Sequence, residues 1–170
     1  MKNFKKIIVS SFFCLLIVFF TTINYKAAAL DTYNAIALNP RNIILNGSVR
    51  ITDDEYFGDQ KCTGNISEKA IISPNQVSEL IRYQKGCGGE VRVEMDLNTQ
   101  LLESGDVKII GEARLYEGTS ESTSELEDTE SIDFIVPVNN LKSITIDLLN
   151  TEFQGGDKAK FILNFANSPN

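Results

Sequence analysis

The side chains of this chain best suited to chemistry are five acidic residues near two glycine-containing stretches. They are Asp53, Asp54, Glu55, Asp59 and Asp157. Hard cations such as Ca²⁺ take six to eight oxygen ligands, which carboxylates and backbone carbonyls supply. The five residues therefore form a candidate Ca²⁺ site, although their spacing does not match the EF-hand loop. The alternative is an acidic turn that only keeps the surface soluble.

Aromatic residues accompany the acidic stretch. Tyr56 and Phe57 lie within it, and Tyr116 ends a predicted strand. Tyrosine at the rim of a domain can stack on a sugar ring or anchor a protein interface. These three residues therefore predict a rim that binds a protein or a glycan ligand, and a carbohydrate-binding module is one form of that hypothesis. The alternative is that the aromatic rings cover the end of the hydrophobic core.

The composition excludes several kinds of catalyst. The chain has no histidine, which removes the usual general base, and no phosphate-binding, dinucleotide-binding or H-E-x-x-H motif. Carboxylate chemistry is left, so the enzyme alternative is a small hydrolase with Asp53 or Asp54 opposite Asp157. No spacing selects these residues over the other acids. We therefore predict a binding or structural module without enzymatic activity.

Two cysteines, Cys62 and Cys87, lie in the part of the chain that follows the N-terminal segment. In an oxidising compartment, an even pair without nearby histidines predicts a disulfide. The alternatives are a reactive pair or two metal ligands, but zinc would need further Cys or His ligands. The third cysteine, Cys14, lies inside the N-terminal apolar run.

The N-terminal segment predicts export. Three lysines precede an apolar run over 7–23, and three alanines follow at 27–29. This order is typical of a secretory signal peptide over residues 1–29, and the alternative is an uncleaved N-terminal anchor. We therefore expect residues 30–170 to form a single domain that is secreted, periplasmic or attached to the cell surface.

The charge of that domain bears on its partners. Removing residues 1–29 takes away four of the 16 basic residues and none of the 23 acidic ones, which changes the formal net charge from −7 to −11. Nucleic acid and anionic membranes bind clustered Lys and Arg. We therefore predict no nucleic-acid partner and no membrane binding by the exported domain. The oligomeric state is left open.

Alternation of apolar and polar residues dominates the remaining sequence. It is clear in six segments: 43–51, 91–97, 107–115, 132–138, 144–148 and 159–165. Weaker strands are predicted at 36–38 and 65–72, and 77–84 fits either a short helix or an irregular strand. Strands with one polar and one apolar face predict an antiparallel β-sandwich of seven or eight strands, Greek-key or jelly-roll-like. Pro137 should lie at an edge or at a strand end.

The order of strands also predicts where the connections lie. If each strand reverses direction, alternate connections share one end of the sandwich. The connections that would share an end are 53–62, 85–89, 117–130 and 150–157, which carry both cysteines and most of the acids. This prediction requires 77–84 to cross the sandwich once. The stretch 117–130 is either a mobile solvated loop or, through Asp128, an extension of the cation site.

Overall fold

Eight antiparallel strands make up the domain in the computed structural model, which describes residues 39–55, 58–150 and 156–170. The strands are β1 (Arg41–Asp53), β2 (Gln60–Ile72), β3 (Ser78–Cys87), β4 (Val91–Leu101), β5 (Val107–Tyr116), β6 (Leu126–Val136), β7 (Asn140–Leu149) and β8 (Lys158–Pro169). Within these ranges no helix is long and apolar enough to cross a membrane. The predicted signal peptide and the predicted strand at 36–38 lie outside the described residues.

The strands form two sheets of four, in the orders β2-β1-β8-β7 and β3-β4-β5-β6. This confirms the predicted all-β, antiparallel sandwich. The strand order is up-and-down, however, and not the predicted Greek-key or jelly-roll order. Each strand lies beside its neighbour in sequence or crosses directly to the facing sheet, and β8 returns to pair with β1. The physical reason is that the two crossings, 73–77 and 137–139, are short, whereas a Greek key needs a long return connection.

Strand alternation directs every second side chain into the space between the sheets. The largest fully buried side chains come from both layers, among them Phe161 and Phe165 on β8 and Met95 and Leu97 on β4. Phe165 also packs edge-to-face on Phe134, with ring centroids 5.1 Å apart. One contiguous hydrophobic core therefore fills the sandwich from end to end.

Two predicted element boundaries change. The ambiguous stretch 77–84 forms the first part of strand β3, which begins at Ser78. Its apolar residues resembled a helical pattern because Leu80, although apolar, points to solvent, and only its neighbour Ile81 faces the core. Strand β6 begins at Leu126, so the polar connection spans 117–125 and is shorter than the predicted 117–130. Pro137 directly follows edge strand β6, as its missing amide predicts. The cysteines lie within β2 and β3 and not in connections.

The disulfide between Cys62 and Cys87 is present, with Cα atoms 5.7 Å apart. It joins β2 to β3, which are edge strands of different sheets. The two sheets are therefore linked covalently along one side of the sandwich.

Contacts between connections place four of them at one end, which we call the acidic pole. The described residues of these connections are 54–55 with 58–59, 88–90, 117–125, and 150 with 156–157. The Asp54 amide donates to Asp157, and the Asn150 side chain donates to Glu117, so connections from both sheets meet there. The acidic connections thus gather at one end, as the alternation of strand direction predicts.

The other end, the opposite pole, is closed by a buried amide. Asn167 accepts a hydrogen bond from Arg41 Nε at 2.9 Å. Its Nδ2 donates to the carbonyl oxygens of Gly105 and Val136, each at 3.1 Å. Because Arg41 and Asn167 belong to one sheet and Val136 to the other, this amide holds the two sheets together.

Candidate functional site

The candidate site at the acidic pole consists of polar residues that continue the core-facing positions of their strands. We call them the pole cluster: Asp53 at the end of β1, Glu117 after β5, Asn150 after β7 and Asp157 before β8. Each stands two positions beyond a buried apolar residue of the same strand. Because strand side chains alternate with a period of two, all four are directed between the sheets.

Three members of the pole cluster are buried, Glu117 is half-buried, and hydrogen bonds join the four. Asp53 and Asp157 are each 3% exposed. Asp157 Oδ1 accepts a hydrogen bond from the Asp54 amide at 2.7 Å, and its carbonyl accepts one from the Asn150 amide at 2.9 Å. The Asn150 side chain in turn donates to the Glu117 carboxyl. The cluster therefore joins connections from both sheets.

One oxygen of the cluster has no partner. Asp53 Oδ2 is buried and makes no hydrogen bond within the described residues. Gly88 lies directly against it, so that a Cβ added at Gly88 would stand 1.5 Å from this oxygen. Gly88 also has a φ of 70°, which favours glycine. The close approach of the backbone therefore shapes a narrow space around an unsatisfied carboxylate oxygen.

The electrostatics of the cluster favour protonation or a cation. Burial, and then the charges of Asp157, Glu55, Glu90 and Asp54, raise the pKa of Asp53 to about 6. Both causes penalise the charged form of a carboxyl group.

Glu117 shows the same effect. Burial above all, with a hydrogen bond to Asp157 and the charges of Asp157 and Glu127, raises the pKa of Glu117 to about 7, and the hydrogen bond from Asn150 opposes this shift. The cluster thus concentrates more negative charge than its own hydrogen bonds stabilise.

A pH dependence of stability follows from these pKa values. Both groups have pKa values raised above those of the unfolded chain, so the folded protein binds more protons from about pH 4 to pH 7. Their contribution to stability is therefore present at low pH and lost as the pH rises through about 6 and about 7. In buffer with a chelator, we expect the free energy of unfolding to be roughly 2 kcal/mol higher at pH 5 than at pH 8.

Urea denaturation at the two pH values measures this difference. The control is the double variant Asp53→Asn with Glu117→Gln, in which the pH dependence should flatten. A natural protein that is as stable at pH 8 as at pH 5, or more stable, would contradict the expected sign.

The structure separates the five residues of the predicted Ca²⁺ site. It brings Asp53 and Asp157 together, with half-buried Glu55 near enough to raise the pKa of Asp53. The Asp54 side chain is exposed, and only its amide contacts the cluster. Asp59 is exposed and pairs with Lys61 at 3.7 Å.

Glu117 and Asn150 are members of the cluster that the sequence reading missed. The signal was available, because both continue the core-facing alternation of their strands beyond the last apolar residue. Among the residues that the structure describes, no three acidic or thiol side chains stand at the spacing of a preformed metal site.

The predicted ligand rim is only partly described. Tyr56 and Phe57 lie outside the described residues. Tyr116 is half-buried, and the Arg92 guanidinium stands 4.4 Å from its ring centroid. One face of the Tyr116 ring is therefore covered by a cation and is not open for a sugar to stack upon.

The connection 117–125 is held against the sandwich. Arg92 donates a hydrogen bond to the Glu121 carbonyl, and the Glu117 amide donates to the Glu125 carbonyl at 3.2 Å. Asp128, expected to extend a cation site, accepts hydrogen bonds from the amides of Thr129 and Leu149, each at 2.8 Å. Its carboxylate therefore belongs to the edges of β6 and β7 and not to the pole cluster.

Comparisons with known proteins add no family to this geometry. No protein-family model matches the chain, and the search of curated proteins finds no significant match.

Proposed function

We propose that this chain is an exported, non-enzymatic binding module whose acidic pole takes up a Ca²⁺ ion and presents a surface to a protein or glycan ligand. The observation that carries the proposal is the buried Asp53 carboxylate, which has one oxygen without a hydrogen bond and lies beside the second buried carboxylate, Asp157. Burial of an unpaired charge is costly unless a proton or a cation neutralises it.

The ligand chemistry of the pole supports a hard cation. Asp53, Asp157 and Glu117 offer carboxylate oxygens, and the described residues 54–55 and 58–59 add backbone carbonyls and the Glu55 carboxylate. Histidine and free thiols, which softer metals prefer, are absent from this set. Ca²⁺ tolerates irregular coordination at 2.3–2.6 Å, whereas Mg²⁺ requires near-ideal octahedral geometry. Irregular connections that contribute carboxylates and carbonyls suit Ca²⁺ better.

Burial also weighs against the hydrolase alternative. An acid and base pair must touch the substrate, whereas Asp53 and Asp157 are each only 3% exposed to solvent. A small ion reaches such a position far more readily than a glycosidic or peptide bond does. We therefore favour binding over catalysis at this pole.

Thermal unfolding with and without Ca²⁺ tests the proposal. A ligand that binds only the folded state stabilises it by about 2.7 kcal/mol at a concentration 100 times its Kd. We expect a higher melting temperature in millimolar Ca²⁺ than in chelator, with a smaller effect of equimolar Mg²⁺. The same melting temperature in Ca²⁺ and in chelator would refute the ion site.

Two neighbouring glycines provide a matched pair for this test. Gly88 has a φ of 70° and contacts Asp53 Oδ2, whereas Gly89 has a φ of 99° and nothing within 4 Å of an added Cβ. Gly88→Ala and Gly89→Ala both strain the backbone, but only the first displaces the carboxylate. We therefore expect the melting temperature to respond to Ca²⁺ in Gly89→Ala and not in Gly88→Ala.

A further inference from the structure

The sheet β2-β1-β8-β7 has an outer face whose charge is opposite to that of the domain as a whole. Even-numbered residues of β1 and β8 and odd-numbered residues of β2 and β7 alternate with core-facing positions, so they face away from the core. The charged side chains at these positions are five bases and one acid, namely Lys61, Lys69, Arg50, Lys158, Lys160 and Asp147. The face is therefore basic, although residues 30–170 carry a formal net charge of −11.

Neighbouring acids neutralise only part of this positive charge. Two of the five bases form an ion pair, Lys160 with Asp147 at 2.9 Å and Lys61 with Asp59 at 3.7 Å. Within the described part of the chain, the bases of this face that make no ion pair are Arg50, Lys69 and Lys158. The face therefore keeps an excess of positive charge after its own ion pairs are counted.

The outer face of the sheet β3-β4-β5-β6 has no such excess. Each of its four bases forms an ion pair with an acid of the same face: Arg82 with Asp96, Arg92 with Glu94, Lys108 with Asp133, and Arg114 with Glu112. Of the two outer faces, only that of β2-β1-β8-β7 thus has bases without an ion pair among the described residues. Electrostatic complementarity makes this face the one that suits an anionic partner.

The bases lie side by side on the two central strands of the sheet. Arg50 on β1 stands directly opposite Lys160 on β8, and Lys158 lies two residues further along β8. Side chains at directly opposed positions have Cβ atoms about 5 Å apart, and like charges placed there destabilise a sheet. An anion bound between these side chains would relieve that repulsion.

A row of amides and hydroxyls continues this surface toward the opposite pole. Asn46 on β1 stands directly opposite Asn164 on β8. The side-chain oxygen of Asn46 accepts a hydrogen bond from Ser67 at 3.2 Å, and that of Asn164 accepts one from Ser143 at 2.6 Å. Both Nδ2 groups are left without a partner among the described residues. Each Nδ2 is therefore free to donate to a hydroxyl of a ligand.

These three bases and two amides form one exposed surface, which we call the basic strip: Arg50, Lys158, Lys160, Asn46 and Asn164. Six residues of β8 separate its ends, which is about 20 Å at 3.4 Å per residue. The strip follows the two central strands, so neither sheet edge interrupts it. It is long enough for several units of a linear polymer.

The chemistry of the strip favours a sugar polymer over a protein. Protein interfaces are centred on aromatic and apolar anchors, and the outward positions of these four strands include no aromatic residue. An acidic polysaccharide carries both groups that the strip recognises, carboxylates for the bases and hydroxyls for the amides. Exposed Ile162, between Lys160 and Asn164 on β8, offers an apolar contact to a sugar ring.

We propose that the basic strip binds an acidic polysaccharide, whose carboxylates contact its three bases and whose hydroxyls accept hydrogen bonds from its two amides. The strip lies on the outer face of one sheet, whereas the pole cluster is directed between the sheets. Binding at the strip needs no Ca²⁺, so this proposal and that of the ion site fail separately.

The test is an NMR titration of the exported protein in buffer with a chelator, with an oligogalacturonide as the probe. We expect the probe to shift the amides of β1 and β8 around the strip, and its affinity to fall as salt is added. The same oligosaccharide with methyl-esterified carboxyl groups should not bind. Polyglutamate, which has carboxylates but no sugar hydroxyls, should bind about tenfold more weakly or not at all.

Two double variants with the same change of charge give the matched control. Arg50→Gln with Lys158→Gln should weaken oligogalacturonide binding by about tenfold or more, because charge-assisted hydrogen bonds are lost. Arg82→Gln with Lys108→Gln removes two charges from the other outer face and should bind like the natural protein.

Four results would overturn the proposal: no binding of the oligogalacturonide, equal binding of its methyl ester, undiminished binding by the first double variant, or an equal loss in both. Polyglutamate binding as tight as that of the oligogalacturonide would overturn it in favour of an acidic polypeptide as the occupant.

Discussion

Replacement of both Cys62 and Cys87 with alanine is expected to lower the free energy of unfolding by about 3.5 kcal/mol, because the disulfide closes a loop of about 26 residues in the unfolded chain. The link spans a sequence separation of 25 and joins the two sheets. Its loss leaves the folded contacts in place but gives the unfolded chain more conformations. The measurement is urea denaturation of the double variant and of the natural protein.

A reductant supplies the control for this prediction. Dithiothreitol should destabilise the natural protein by a similar amount and leave the double variant unchanged. If the natural protein keeps its full stability after complete reduction, the disulfide is not a source of stability. The outcome separates the covalent link from the packing of the half-buried Cys62 and the buried Cys87.

Asn167→Ala is expected to cost about 3 kcal/mol, since it removes three buried hydrogen bonds and leaves two carbonyls and the Nε–H of Arg41 unsatisfied. Asn167 is 1% exposed and lies on β8 at the opposite pole. Its partners, Arg41, Gly105 and Val136, come from three separate parts of the chain. No other described side chain donates to those two carbonyls.

Asn164→Ala is the matched control, because Asn164 is exposed on the same strand and, among the described residues, its side chain accepts a hydrogen bond only from Ser143, at 2.6 Å. Its effect should be within about 0.5 kcal/mol. Asn167→Asp adds a second comparison: it keeps an acceptor for Arg41 but removes both donors. A loss below about 1 kcal/mol for Asn167→Ala would show that the buried amide is dispensable.

Much of the fold was predictable from the alternation of side chains. Six segments with one apolar face define six of the eight strands, and the alternation of strand direction places the acidic connections at one pole. The strand order was not predictable, because alternation specifies which face is buried and not which strand lies alongside. Strand β3 was ambiguous because exposed Leu80 stands next to buried Ile81 and imitates helical spacing.

The candidate site was only half predictable for a related reason. We predicted ligands from the density of acids between 53 and 59, which selects exposed Asp54 and Asp59 as readily as buried Asp53. The structure distinguishes these acids by their position in the alternation of the strand. Asp53, Asp157 and Glu117 occupy positions whose side chains face the core, whereas the exposed acids occupy positions that face solvent. The same rule marks Arg41 and Asn167 at the opposite pole. A polar residue in the core-facing phase at a strand end was therefore the better signal.

Calcium binding at the acidic pole is tested most directly by isothermal titration calorimetry of the exported protein. We expect one Ca²⁺ per chain, and no measurable binding by Asp53→Asn, which removes the charge of the buried carboxylate. Glu103→Gln, an exposed acid at the opposite pole, should bind like the natural protein. Absence of heat from Ca²⁺ in the natural protein, or undiminished binding by Asp53→Asn, would contradict the proposed site.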